Sequence, residues 1–324
     1  MSDLLKNIDA RTRLAGTNKL EILLFTLGLD PRTGRRETFG INVFKVREVM
    51  RTPAITAAPE MPDTVEGMVS LRGVLVPVVD LGKYVGIGAE AMREVMIVTE
   101  YNGHTQGFLV EAVDTILRLD WSQMRVPPDM LTANMGGLVT AVTELPGKKL
   151  VMLLDVEKVL SETTRYDDSV AFKGIDAIRD GKRHTVYFAD DSSVARRQIM
   201  RTLDSLGVNY VSAINGRQAW EELKKVAEQA AADGRPVKDV VSLVLTDVEM
   251  PEMDGYILTR QIKGDPRFAG VPVIMHSSLS GMSNQQLGKS VGVDEYVAKF
   301  EPQRLAQTLR RLLAGEAAQE TAAE

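Results

Sequence analysis

Leu243-Val-Leu-Thr-Asp247-Val-Glu-Met-Pro-Glu-Met-Asp254-Gly255 is a short apolar run that ends in an acid and turns, past a proline, into a helical pattern over 255–262. The same plan opens this half of the chain. Thr185-Val-Tyr-Phe-Ala189 ends in Asp190-Asp191, and Val194, Ile199, Leu203 and Leu206 then follow on a helical period that stops at Gly207. Further apolar runs at 210–213, 271–276 and 295–298 alternate with helical patterns at 216–232, 283–291 and 303–314. Five strands alternating with five helices predict an α/β doubly wound parallel sheet, with helices on both faces and right-handed crossovers. Such a sheet gathers its chemistry at the carboxyl ends of the strands, where the strand order reverses.

Three acids fall at that place. Asp190 and Asp191 follow the first strand of this half and Asp247 follows the third, so three carboxylates are expected in one cleft. Like charges that close repel unless a cation neutralises them. A hard, oxygen-seeking divalent ion, Mg²⁺ above all, suits that donor set. Asp247 is then a candidate covalent acceptor, because a carboxylate can take a phosphoryl group as a mixed anhydride. Ser277, at the end of the fourth strand, offers a hydroxyl, and Lys299, at the end of the fifth, offers a compact positive charge to an incoming oxyanion.

The chain upstream has a different texture. Before residue 165, runs rich in Val, Ile and Leu are short and closely spaced, as in a β-sandwich or small barrels: 20–27, 38–46, 67–71, 74–79, 94–101, 106–113, 115–119, 137–142 and 150–154. Arg72-Gly73 reads as a tight hairpin and Asn102-Gly103 as a turn with positive φ. Short helices are expected at 46–50 and 156–160, and an amphipathic one at 1–16. The expected division is a helical segment 1–18, a β-rich domain 19–165, a charged linker 166–183 with a weak helical pattern at Val170, Ile175 and Ile178, an α/β domain 184–314 and a tail 315–324. No catalytic set stands in the β-rich part. Gly86-Ile-Gly-Ala-Glu-Ala91 imitates a dinucleotide fingerprint but lies between β-type runs, His104 reads as a surface hairpin residue, and Met50, Met61 and Met68 as core fillers.

Composition narrows the choices. Among 324 residues, 39 Lys and Arg stand against 44 Asp and Glu, a net charge of −5, and neither half is basic, which argues against a dedicated nucleic-acid binder. There is no cysteine, which removes disulfides, thiolate nucleophiles and Cys-based zinc sites, and the three histidines are far apart in sequence. The charged start and the short apolar runs suggest neither a secretory signal nor a membrane helix, so a cytoplasmic protein is expected.

With Phe188-Ala-Asp-Asp-Ser192, the segment 246–255, Ser277 and Lys299 in view, residues 184–314 resemble a response-regulator receiver domain. The resemblance implies phosphorylation at Asp247, Mg²⁺ held by Asp190, Asp191, Asp247 and the backbone carbonyl of Glu249, phosphoryl contacts from Ser277 and Lys299, and a switch role for Tyr296. Two departures stand out: Phe300 replaces the usual proline after Lys299, so a cis bond there is not expected, and the Asp191-to-Asp247 interval is lengthened around 228–239. Asp63-Thr-Val-Glu-Gly-Met-Val-Ser-Leu-Arg-Gly-Val-Leu-Val-Pro-Val-Val-Asp-Leu81 resembles the signature of CheW-like coupling domains, with Ser70 where asparagine is usual. That family folds as two small five-stranded barrels and binds rather than catalyses. Arg72, and an apolar patch of Val43, Val46 and Val49, are the expected partner surfaces. A coupling domain followed by a receiver implies a chemotaxis scaffold, recruited to receptor arrays, that docks between chemoreceptor tips and the histidine kinase CheA and takes phosphate from that kinase. The alternative is a phosphate sink whose coupling domain serves localisation. An aspartyl phosphatase fits poorly, because Glu249 stands where its second aspartate is needed.

Overall fold

The computed structural model describes residues 19–87, 92–101, 104–128, 130–131, 135–147, 149–163, 172–278, 282–299 and 301–314. The expected helix at 1–16, the Asn102-Gly103 turn, the first part of the linker, the peptide after Lys299 and the tail lie outside them, as do residues 88–91. The chain divides into two compact units, residues 1–165 and 166–324.

The first unit holds two five-stranded sheets. One contains β1 (Lys19–Thr26), β2 (Thr38–Asn42), β8 (Ala112–Asp120), β9 (Val139–Leu145) and β10 (Lys149–Leu154), in the order β8-β1-β2-β10-β9. The other contains β3 (Val46–Arg51), β4 (Val65–Leu71), β5 (Val74–Asp80), β6 (Val95–Tyr101) and β7 (His104–Val110), in the order β3-β6-β7-β5-β4. Pairing is antiparallel except between β2 and β10 and between β5 and β7. Both sheets curl: Thr56, just past β3, bridges Met68 on β4, and Arg125, past β8, bridges Val142 on β9. The curl lets inward side chains meet as two small cores, one around Ile22, Trp121 and Val151 and one around Val76, Met96 and Leu109. Two short helices follow strands, α1 (Leu81–Val85), capped by the Asp80 carboxylate, and α2 (Val156–Thr163). Buried ion pairs tie distant segments: Arg93 Nε lies 2.9 Å from Asp80 Oδ1, and Lys45 Nζ lies 3.0 Å from Glu157 Oε1.

Three expectations are corrected here. The helix at 46–50 is strand β3, preceded by a 3₁₀ turn at Val43–Lys45, because pairing with β6 overrides local preference. The apolar partner patch does not form: Val43 and Val46 are 5% and 4% exposed and belong to the interior, with Val49 half-buried. Met50 and Met68 are half-buried, but Met61 is exposed and fills no core.

The second unit alternates β11 (Thr185–Ala189), α3 (Ser193–Leu206), β12 (Asn209–Ala213), α4 (Gly216–Ala232), β13 (Leu243–Thr246), α5 (Gly255–Gly264), β14 (Val273–Ser277), α6 (Met282–Ser290), β15 (Glu295–Ala298) and α7 (Pro302–Ala314). The sheet is wholly parallel, in the order β12-β11-β13-β14-β15. Its three central strands, β11, β13 and β14, are buried on both faces: Val244, Val273 and Tyr187 pack under α4 and α5, and Phe188, Leu245 and Ile274 under α3 and α7. The insertion extends α4 to 17 residues and adds a 3₁₀ turn at Val237–Asp239, away from the strand ends.

Residues 172–183 form turns, bends and irregular chain, not the helix that the spacing of Ile175 and Ile178 suggested. Both isoleucines pack on the α3–α7 side of the core. The segment is fastened along its length: the Arg201 guanidinium sits 4.2 Å from the Phe172 ring centroid, Gln303 Nε2 donates to Lys173 O at 2.6 Å, Arg310 donates to Asp176 O, and Ile178 N donates to Leu206 O at 2.9 Å.

Candidate functional site

The strand order reverses between β11 and β13, and the acids at these two strand ends meet there. One carboxylate oxygen from each of Asp190, Asp191 and Asp247 lies within 4.8 Å of the others. Asp190 is fully buried, Asp247 is 5% exposed and Asp191 is half-buried. Lys299 arrives from the end of β15 and is itself 2% exposed. Its Nζ stands 2.9 Å from Asp190 Oδ2 and 2.8 Å from Asp247 Oδ2. Three carboxylates outnumber the one ammonium seated among them, a cluster suited to a further cation.

Local backbone chemistry sets each group. Ser192 N donates to Asp190 Oδ1 at 2.9 Å, while Ser192 Oγ caps α3 through Ala195 N. Val248 N holds Asp247 Oδ1 at 2.6 Å. Asp247 N donates to Ala189 O at 2.8 Å, which couples the two acid-bearing strand ends. The chain beyond Asp247 must fold back tightly: Gly255 N donates to Val248 O at 2.9 Å, and a Cβ at Gly255 would stand 2.0 Å from Asp247 O. Only glycine permits that approach. Asp254 caps α5 through Ile257 N at 2.7 Å, and burial pushes its carboxyl above the ordinary range despite that hydrogen bond.

Ser277 closes the fourth side. It is 1% exposed, its carbonyl accepts from Lys299 N at 3.1 Å, and its side chain is hydrogen-bonded to the Tyr296 phenol. Burial raises the Tyr296 phenol, the Ser277 hydrogen bond opposes this, and Asp247 and Glu249 add to it, so the ring stays neutral in the physiological range. Glu249 is half-buried. The structure thus brings together Asp190, Asp191, Asp247, Ser277, Tyr296 and Lys299. Sequence reasoning missed Arg217 and Glu252. Glu252 takes a φ of 64° in the turn after Asp247, and Arg217 Nε, at the start of α4, holds its carboxylate at 3.2 Å. The sequence carried no signal for that pair, since a positive φ at a non-glycine residue is a tertiary outcome.

The donor set is all oxygen, which fits a hard divalent ion and no soft one. Elsewhere in the chain, the Arg72-Gly73 hairpin has φ of 51° and 83°, a turn of the mirror-image kind. Arg72 is exposed, with Nη2 2.9 Å from Glu48 Oε2, beside the exposed Val74 and Leu75. His104 is exposed. Among the described residues, no helix is long and apolar enough to cross a membrane.

Comparison with known proteins agrees with this division. Residues 22–164 match the CheW-like domain family, and residues 186–310 match the response regulator receiver domain family. Two β-sheet subdomains of the CheW kind followed by a receiver define a class of chemotaxis signalling protein, one of coupling domain and receiver in a single chain; both families are generally non-catalytic. Chemotaxis protein CheV3 of Helicobacter pylori is 28% identical over 302 residues, spanning 91% of this chain and 95% of that protein. CheV1 of the same organism is 27% identical over 341 residues, spanning 97% and 99%. Chemotaxis protein CheW of Klebsiella aerogenes is 33% identical over 164 residues, 49% of this chain and 94% of that protein. The chain belongs to the CheV-type chemotaxis proteins.

Proposed function

We propose that this chain is a phosphorylation-tuned adaptor, coupling chemoreceptor tips to the histidine kinase CheA, whose receiver accepts a phosphoryl group at Asp247. One observation carries the reading: Lys299 Nζ spans Asp190 and Asp247 in a buried site where Asp191 supplies a third carboxylate. In the transfer, an Asp247 oxygen attacks phosphorus, the new O–P bond forms as the P–N bond of the kinase's phosphohistidine breaks, and the imidazole leaves. Lys299 stays beside Asp247 and balances charge gained by the phosphoryl oxygens. Mg²⁺, held by Asp190, Asp191, Asp247 and the Glu249 carbonyl, supplies charge neutralisation when bound. Ser277 then donates to a phosphoryl oxygen instead of Tyr296, and the neutral phenol is released to repack. This is a population shift, because Tyr296 in the present state is tied to Ser277. The exposed Arg72-Gly73-Val74-Leu75 tip is the proposed partner surface of the coupling domain.

The test is transfer of labelled phosphate from purified phosphorylated CheA to the full chain. Asp247→Asn should take up none, and Asp190→Asn should be strongly slowed. Uptake by Asp247→Asn at the wild-type rate overturns the acceptor. With receptor and kinase assembled, a change in kinase activity on phosphorylation marks an adaptor, whereas fast phosphate loss with unchanged kinase activity marks a sink.

A further inference from the structure

The loop bearing the paired acids is gripped from behind. Arg196 lies on the first turns of α3 and is half-buried. Its Nη1 donates to two backbone carbonyls at once, Asp190 O at 2.8 Å and Asp191 O at 2.9 Å. Its own backbone N donates to Ser192 O at 3.0 Å, so the side chain springs from the helix turn that the loop feeds. The two peptide planes that orient the Asp190 and Asp191 side chains are therefore both fastened to one cation, while Ser192 N fixes one Asp190 oxygen from the other side at 2.9 Å.

We infer that Arg196 is a positioning residue for cation binding: by clamping both carbonyls it aims Asp190 and Asp191 toward Asp247 before an ion arrives. The inference rests on the Mg²⁺ reading above. Two effects oppose each other here. A guanidinium near three carboxylates repels an incoming dication, so electrostatics by itself would make ion binding tighter once Arg196 is removed. Loss of the clamp acts the other way, because partners that orient metal ligands are typically worth about 10–100-fold in metal affinity. Arg196 is half-buried and contacts the carbonyl side of the loop, so solvent screens its charge more than it weakens its hydrogen bonds. Positioning therefore wins.

The experiment is calorimetric titration of the full-length protein with MgCl₂, comparing wild type, Arg196→Met, Arg196→Gln, Arg196→Lys and Asp191→Asn, with thermal unfolding in EDTA to verify folding. Arg196→Met should weaken binding about tenfold. Arg196→Gln, the variant to rely on if Arg196→Met does not fold, should also weaken it. Arg196→Lys, which keeps a cationic N–H donor on a shorter side chain, should recover part of the loss, a rescue that a mere packing role would not produce. Mg²⁺ affinity that is unchanged or tighter in the folded Met and Gln variants, while Asp191→Asn abolishes binding, overturns the role of Arg196 and leaves the cation site standing. Wild type without saturable binding, or Asp191→Asn binding as wild type does, overturns the cation site and the inference with it.

Discussion

Lys299→Met tests the charge balance of the receiver most directly. The side chain is 2% exposed and bridges Asp190, at 0%, and Asp247, at 5%. Breaking a buried pair from one side costs about 3–5 kcal/mol, since it strands the other charge. Here two carboxylates are stranded together. With oxygens within 4.8 Å, their mutual repulsion is on the order of 3 kcal/mol at an effective dielectric of about 20. Lys299→Met should therefore destabilise the receiver by about 3–5 kcal/mol in EDTA at neutral pH. Adding Asp247→Asn should restore stability rather than remove more, by about 2 kcal/mol, because it deletes one of the repelling partners. Mg²⁺ should stabilise Lys299→Met more than wild type, the dication taking over the work of the ammonium. Urea unfolding followed by Trp220, packed against Phe268 at 5.7 Å between ring centroids, reads the receiver alone in a Trp121→Phe background. A Lys299→Met protein within about 1 kcal/mol of wild type, or a double variant less stable than Lys299→Met, would refute the reasoning.

Three further outcomes are expected. Gly255→Ala places a methyl against the Asp247 carbonyl, backbone that cannot swing aside, so the thermal midpoint and labelled phosphate uptake should both fall; unchanged uptake counts against the tight return after Asp247. Asp254 has a folded-state carboxyl raised above its ordinary value by burial, so it favours the fold below the unfolded value, and this contribution is lost as pH rises through the folded one. Asp254→Asn keeps the cap on α5 without the buried charge. It should match or exceed wild-type stability at neutral pH, with the difference vanishing on acidification, whereas a larger deficit at pH 7 than in acid reverses the sign and refutes the account. Arg72→Ala alters an exposed pair and should change stability by less than about 0.5 kcal/mol, while reducing capture of kinase or receptor by the full chain; retention of both partners at wild-type strength would remove Arg72 from the partner surface.

The parallel sheet was readable because its central strands are buried on both faces, so apolar runs such as Leu243–Thr246 and Val273–Ser277 stand out beside amphipathic helices. Fold logic, not pairwise contacts, then places their terminal acids together. The β-rich half was readable in kind but not in detail. The segment 46–50 reads as a helix because so few residues cannot separate a period of two from one of 3.6, and the hydrogen bonds to β6 make it part of a strand. The five-residue helix Leu81–Val85 is too short to show a period, and only its Asp80 cap and Gly86, at φ 79°, could have marked it. Val43 and Val46 look equally suited to a core or to a sticky surface, since hydropathy does not say which face is turned inward. Long-range ion pairs such as Lys45 with Glu157 leave no local pattern at all.

The ribbon at 172–183 bears on how such proteins can be cut and recombined. Its isoleucines cover part of the α3–α7 seam, and its carbonyls occupy Gln303 and Arg310. A fragment beginning at His184 keeps every strand yet exposes a greasy strip and leaves two donors idle. Transplanting the receiver intact means carrying the ribbon with it, and a fusion joined at the first strand should express poorly for want of a dozen residues that no strand count would include.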